Sequence, residues 1–126
     1  MMKDREKIIS NYIDGYNRFD IDKMLADFND HIIFENIQGG QTTMSLTGLA
    51  ALRQQAEIAK TYFTTRTQTI KSFKHVDNTT EIEIDYHAIL AMDFPNGLKK
   101  GQELNLSGKS RFVFENDRVI KLTDIS

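Results

Sequence analysis

The order of elements in this chain predicts an α+β fold: a cone-shaped α+β barrel with three N-terminal helices packed on a strongly curved, mostly antiparallel sheet. Three observations predict it. Apolar residues before position 62 follow helical spacing, interrupted by one short β-branched run. After position 65 they alternate with polar residues in long stretches of period two. The two longest of these stretches flank a turn-rich loop that holds the only proline, Pro95. Helices first and long hairpins afterwards is an α+β order, distinct from alternating strand and helix.

The elements follow in turn. Over residues 3–18, Ile8, Ile9, Tyr12, Ile13 and Tyr16 share a helix face, with Lys3, Asp4, Glu6 and Lys7 at the solvated end. Gly15 weakens this helix by about 1 kcal/mol against alanine, so packing must hold its last turn. Asp20 is placed to cap a short second helix with Ile21, Met24, Leu25 and Phe28 inward. Residues 32–37 read as a strand, with Ile32, Phe34 and Asn36 on one face and Ile33, Glu35 and Ile37 on the other. Gly39 and Gly40 mark a loop or hairpin turn. Thr47 is placed to cap a third helix, from Gly48 to about Tyr62, with Leu49, Leu52, Ala56 and Ala59 as its stripe.

The remainder reads as β. A threonine-rich strand ends at the turn Asp77 and Asn78. The next sets Ile82, Ile84, Tyr86, Ala88, Leu90 and Met92 against Glu81, Glu83, Asp85 and His87. After the Pro95 loop, Leu104, Leu106, Phe112 and Phe114 alternate with Asn105, Ser107, Lys109 and Arg111. A loop centred near Leu98 would pair Asp85 with Arg111 and His87 with Lys109 on the outer face. A tight turn at Asn116 and Asp117 leads into the last strand, 118–125.

Composition narrows the function classes. The chain has 126 residues and suits one domain, 1–126. It has no cysteine, which excludes disulfides and thiolate metal sites. His31, His75 and His87 are scattered, so no metal cluster is expected. A net charge of −2 gives no general pull toward nucleic acid or anionic membrane. There is no apolar run long enough to span a bilayer, and the charged start "MMKDREK" is unlike a secretory signal, so a cytoplasmic protein is expected.

With these elements in place, the chain resembles a nuclear transport factor 2-like domain, in particular the SnoaL-like polyketide cyclase and ketosteroid isomerase branch. The resemblance covers essentially the whole chain. Its carriers are "NYIDGYNRFDIDKMLADFNDHIIFEN" and "NGLKKGQELNLSGKSRFVFENDRVIKLTDIS". It implies a small apolar ligand in the cone, a homodimer through the sheet, and no cofactor. Isomerases, cyclases, hydrolases and non-catalytic proteins share this architecture, so fold alone does not decide function.

Residue by residue, the resemblance implies Tyr12 as a donor to a developing oxyanion. The proton-shuttling aspartate of the isomerases falls on Asn36, whose amide cannot take up a proton at neutral pH. No second acid matches over residues 104–110. The steroid-isomerase mechanism is therefore unsupported. The SnoaL-like cyclases use an acid late in the sheet, and Asp124 in "KLTDIS" resembles it. A two-residue turn at Asn116 and Asp117 pairs Asp124 with Lys109 on the outer face. A one-residue bulge sends it inward instead.

The candidate site is therefore Asp124 as base and Tyr12 as donor. Tyr16, Phe28, Phe34, Asn36, Tyr86 and Phe112 are its candidate ligand-binding walls. Each has a plainer reading: the tyrosines as core residues with satisfied hydroxyls, Asn36 as a strand end, Asp124 as an outer-face acid. Three functions stay open. They are cofactor-free proton transfer driving isomerisation or cyclisation of a carbonyl compound, ligand binding without catalysis, and a dimeric interaction module with its cone packed shut.

Overall fold

The computed structural model describes residues 2–126, with side chains from Asp4 onward. Three helices, α1 (Met2–Asn17), α2 (Ile21–Leu25) and α3 (Leu49–Ala59), lie against a six-stranded sheet. The strands are β1 (Phe28–Gln38), β2 (Gln41–Thr47), β3 (Phe63–Val76), β4 (Thr79–Leu90), β5 (Glu103–Glu115) and β6 (Arg118–Ile125). Their order is β2-β1-β6-β5-β4-β3. Only β1 and β6 run parallel. The sheet does not close on itself: β2 and β3 are its two edges. The α+β class and the three helices thus match expectation, whereas the barrel is an open, bent sheet.

The helical spacing of α1 buries Ile9, Tyr12 and Ile13. Asp20 caps α2 as expected, its carboxylate accepting from the Lys23 N–H at 3.1 Å. Gly15 has a tertiary reason. A Cβ built there would lie 2.6 Å from the backbone nitrogen of Met24, so the close approach of α1 and α2 admits no side chain. Phe28 does not belong to α2. It begins β1, because the second helix ends at Leu25.

Two boundaries differ from the sequence reading. Residues 41–47 form β2, an edge strand joined to β1 through a turn at Gly39 and Gly40, both with positive φ. Polar threonines with little apolar alternation concealed it, as they do in exposed edge strands. The third helix is preceded by Gly48, at φ +97°, with no side-chain cap, so Thr47 ends β2 and does not cap. After Ala59 the chain tightens into a 3-10 turn, Lys60–Tyr62.

The long hairpin keeps most of the expected faces but not the expected register; Leu106 is 56 % exposed, and Met92, past the end of β4, is 43 % exposed. Asp85 sits opposite Ser107, and Arg111 opposite Glu81, because the loop centres near Asn96. The shift is even, so Ile82, Ala88 and Leu90 still face the helices together with Phe112 and Phe114. Arg111 makes its ion pair with Glu81 at 3.2 Å. The final hairpin carries the bulge. Phe114 pairs with Val119, but Val113 pairs with Lys121, leaving Ile120 extra. Beyond it Asp124 faces Ser110, on the inner side of the sheet.

Candidate active site

β6 brings the key carboxylate to the cavity. Asp124 lies beside Asn36 in the parallel β1–β6 ladder and opposite Ser110 in the antiparallel β5–β6 ladder. The Ser110 hydroxyl donates to Oδ1 of Asp124 at 2.7 Å. That leaves Oδ2 free of any protein hydrogen bond among the described residues. Burial raises the Asp124 carboxyl from 3.8 to about 6, and the serine hydrogen bond opposes part of the rise. The surface it keeps lines two adjoining cavities.

The larger cavity is about 230 Å³, with Tyr12, Tyr16, Met24, Phe34, Leu52 and Ala56 among its walls and Asn36, Thr43, Gln55, Arg66 and Asp124 as its polar groups. The smaller, about 160 Å³, adds Gln68, Tyr86, Leu106 and Ser110. An apolar cavity of about 150 Å³ accommodates benzene, so the pair suits a ligand of one or two rings. Apolar walls with a few convergent polar groups are the usual character of small-molecule sites.

Tyr12 is 6 % exposed. Its phenol is pushed far above its ordinary value, first by burial and next by the charge of Asp124, with Arg66 opposing. It therefore stays a neutral donor at any physiological pH. Its ring is held by Phe28, stacked at 5.4 Å, and by Phe112, edge-on at 5.6 Å. Phe28 and Phe112 thus lie behind Tyr12 in the core and line neither cavity. Aromatic spacing alone does not separate a wall from the layer supporting it.

The remaining candidates do reach the cavities. Phe34 lines the larger one, and Asn36 and Tyr16 line both. The Asn36 amide is partly engaged, donating from Nδ2 to Thr43 at 2.8 Å, because a bulge in β2 leaves Thr43 outside the ladder. Tyr16 and Tyr86 share a hydroxyl hydrogen bond of 2.9 Å, and burial raises both phenols. Among the described residues, no three His, Asp or Glu side chains gather closely enough to hold a metal ion.

Three polar residues escaped the sequence reading. Ser110 was hidden because its importance depends on the bulge that turns Asp124 toward it. Arg66 and Gln68 lie in β3, where polar residues occupy both faces, so alternation does not tell which side is inward. Their shared parity with Ile70 was the only available signal.

The architecture is therefore an open α+β cone with a ligand-sized cavity between helices and sheet. Solved structures with the same arrangement are numerous. A candidate polyketide cyclase of Xanthomonas campestris superposes with a TM-score of 0.82 at 19 % identity, over 98 % of this chain and 90 % of that one. A candidate SnoaL-like polyketide cyclase of Jannaschia gives 0.80 at 9 % identity, over 97 % and 84 %. A nuclear transport factor 2-like protein of unknown function from Burkholderia pseudomallei gives 0.75 at 14 % identity, over 96 % and 88 %. No protein-family model matches the sequence, and no curated protein is significantly similar to it. The chain shares the fold of these nuclear transport factor 2-like and SnoaL-like structures, a likeness of fold alone at these identities.

Proposed function

We propose that this protein binds a small carbonyl compound in the cone and catalyses cofactor-free proton transfer on it, as in an isomerisation or ring closure. The observation that carries the reading is the inward Asp124, which lines the same cavity as Tyr12. Its Oδ2 would take a proton from the carbon next to the carbonyl. The bonding pair moves toward the carbonyl oxygen, which accepts a hydrogen bond from Tyr12. The proton returns from Asp124 to a second carbon, or to the same one, and the enzyme is unchanged. A base titrating near 6 is ionised at neutral pH yet binds its proton readily. A neutral donor in an apolar wall stabilises the developing oxyanion without reorganising. Asn36, beside Asp124, takes a positioning part and not the base's. The likeness in fold to candidate polyketide cyclases agrees with this reading.

The test is α-hydrogen exchange of the enolisable ketone 2-tetralone in deuterated water, followed by NMR. The wild type should accelerate it. Asp124→Asn should lose about a hundredfold or more, the usual worth of a positioned base, while still binding the ketone. Tyr12→Phe should lose about 10²- to 10³-fold. Exchange undiminished in Asp124→Asn would remove Asp124 from the mechanism. Binding without exchange in the wild type would leave a ligand-binding protein. The proposal includes a homodimer formed through the sheet.

A further inference from the structure

β3 carries a buried cation that the proton-transfer scheme leaves unused. Arg66 is 3 % exposed, and among the described residues it is the only buried lysine or arginine. Arginine cannot shed its proton to escape burial, and an unpaired buried charge is costly.

Part of the guanidinium is accounted for by the fold. Its Nε donates to the Tyr16 carbonyl at 2.8 Å, at the end of α1 where the helix dipole is negative. Its carbon lies 3.7 Å from the centre of the Tyr16 ring and 4.6 Å from that of Phe19. Phe19 is brought there by a positive φ of 59° as the chain leaves α1. Helix capping and ring contact explain one N–H and the flat surface of the group. They do not explain the terminal nitrogens, which carry four of the five donors. One of these reaches only the Met24 sulfur, at 4.0 Å. No carboxylate pairs with Arg66 among the described residues, Asp124 included, although both line the larger cavity.

A second polar group on the same face of β3 is also incompletely used. Gln68 is 8 % exposed, and its Oε1 is buried with no hydrogen-bond donor among the described residues. Its backbone is clamped by Asn17, whose amide bonds both its N–H (2.8 Å) and its carbonyl (3.1 Å), so the side chain's position is fixed from α1. Gln68 lines the smaller cavity.

We infer that the natural ligand is an anion: a carboxylate, or an acidic enol or phenol, whose oxygen sits on the terminal N–H groups of Arg66. Its ring lies against Tyr12, Phe34 and Leu52, and an oxygen on it accepts from the amide nitrogen of Gln68, the side of that group open to the smaller cavity. Arg66 and Gln68 on β3 thus hold the polar end, and Asp124 meets the carbon skeleton from the opposite wall. This rests on the proton-transfer reading only in using the same cavity.

The experiment compares two probes of equal shape, 4-hydroxybenzoate and 4-hydroxybenzamide, by NMR titration near neutral pH. The wild type should prefer the anion by about tenfold or more, as charge-assisted bonds to arginine outweigh neutral ones. Arg66→Gln should abolish the preference and Arg66→Lys should keep part of it. Arg66→Gln also loses the contact to Tyr16 and can fail to fold, so Asp124→Asn supplies an independent reading. Removing a like charge from the same cavity should tighten the anion relative to the amide. Equal affinity of the two probes in the wild type, or a preference that survives Arg66→Gln, overturns the inference, as does failure of both probes to bind. Loss of ketone exchange together with a retained preference for the anion would overturn only the proton-transfer reading.

Discussion

At the scale of single residues, the proposed mechanism sets stability and activity against each other at Asp124. In the unfolded chain its carboxyl titrates at its ordinary 3.8, and in the folded protein near 6. Between those values the folded state holds more protons. This group's contribution to stability therefore falls as pH rises through the window and stands as a cost above it, of order 2–3 kcal/mol. Asp124→Asn preserves an acceptor for the Ser110 hydroxyl and removes the charge. The variant should be more stable than wild type above pH 7 by about 1–3 kcal/mol, with the difference vanishing near pH 4. Urea unfolding at the two pH values measures this, and a difference independent of pH would refute the buried-base assignment. On the proposed mechanism activity carries the opposite sign: a base must be ionised to take a proton, so turnover should rise with pH through about 6.

At the scale of elements, two local devices position the site. One is the bulge at Ile120, which turns Asp124 from a partner of Lys109 into a neighbour of Ser110. A bulge inserts one residue into a ladder of period two, so every side chain beyond it changes face. The other is Gly15. Alanine there would gain about 1 kcal/mol of helix propensity. Its Cβ would nevertheless meet backbone atoms of Met24, Lys23 and Asp20 at 2.6, 3.0 and 3.1 Å. Backbone cannot rotate away, so Gly15→Ala should lower stability by about 1–3 kcal/mol, which thermal or urea unfolding will show. A stabilised variant would mean that α1 and α2 separate freely. In that event the aromatic contacts of Tyr12 and the Asn17 clamp on β3 would not hold the cavity as described.

At the scale of the whole molecule, the open sheet decides what its outer face can do. Among the described residues that face carries Lys71, Glu83, Asp85, Lys109 and Arg111, with Ile89 and Val113 half-buried among them and Ile33 39 % exposed on β1. Apolar residues within a charged rim suit association of two copies. Sedimentation at micromolar concentration should therefore give twice the 14.5 kDa of one chain. A 14.5 kDa species alone would exclude the homodimer. The edges are less suited to pairing, since β2 is short and rich in threonine and β3 is broken by register shifts.

Much of this was legible in order along the chain. Helical spacing named the buried face of α1, Asp20 announced α2, and alternation assigned the faces of β4 and β5 even though their pairing lay four residues away from expectation. These are local properties: period, capping and parity depend on neighbours within a turn or a strand. Three things only the tertiary structure decided. The face of Asp124 depended on a bulge that no residue type announces. The separation of Phe34 as a cavity wall from Phe28 and Phe112 as support depended on the depth at which each strand crosses the helices. The inward turn of Arg66 depended on β3 packing against the end of α1, a contact fifty residues distant in the chain. Chemistry at the site is set by which groups leave water together, and that is a property of the folded whole.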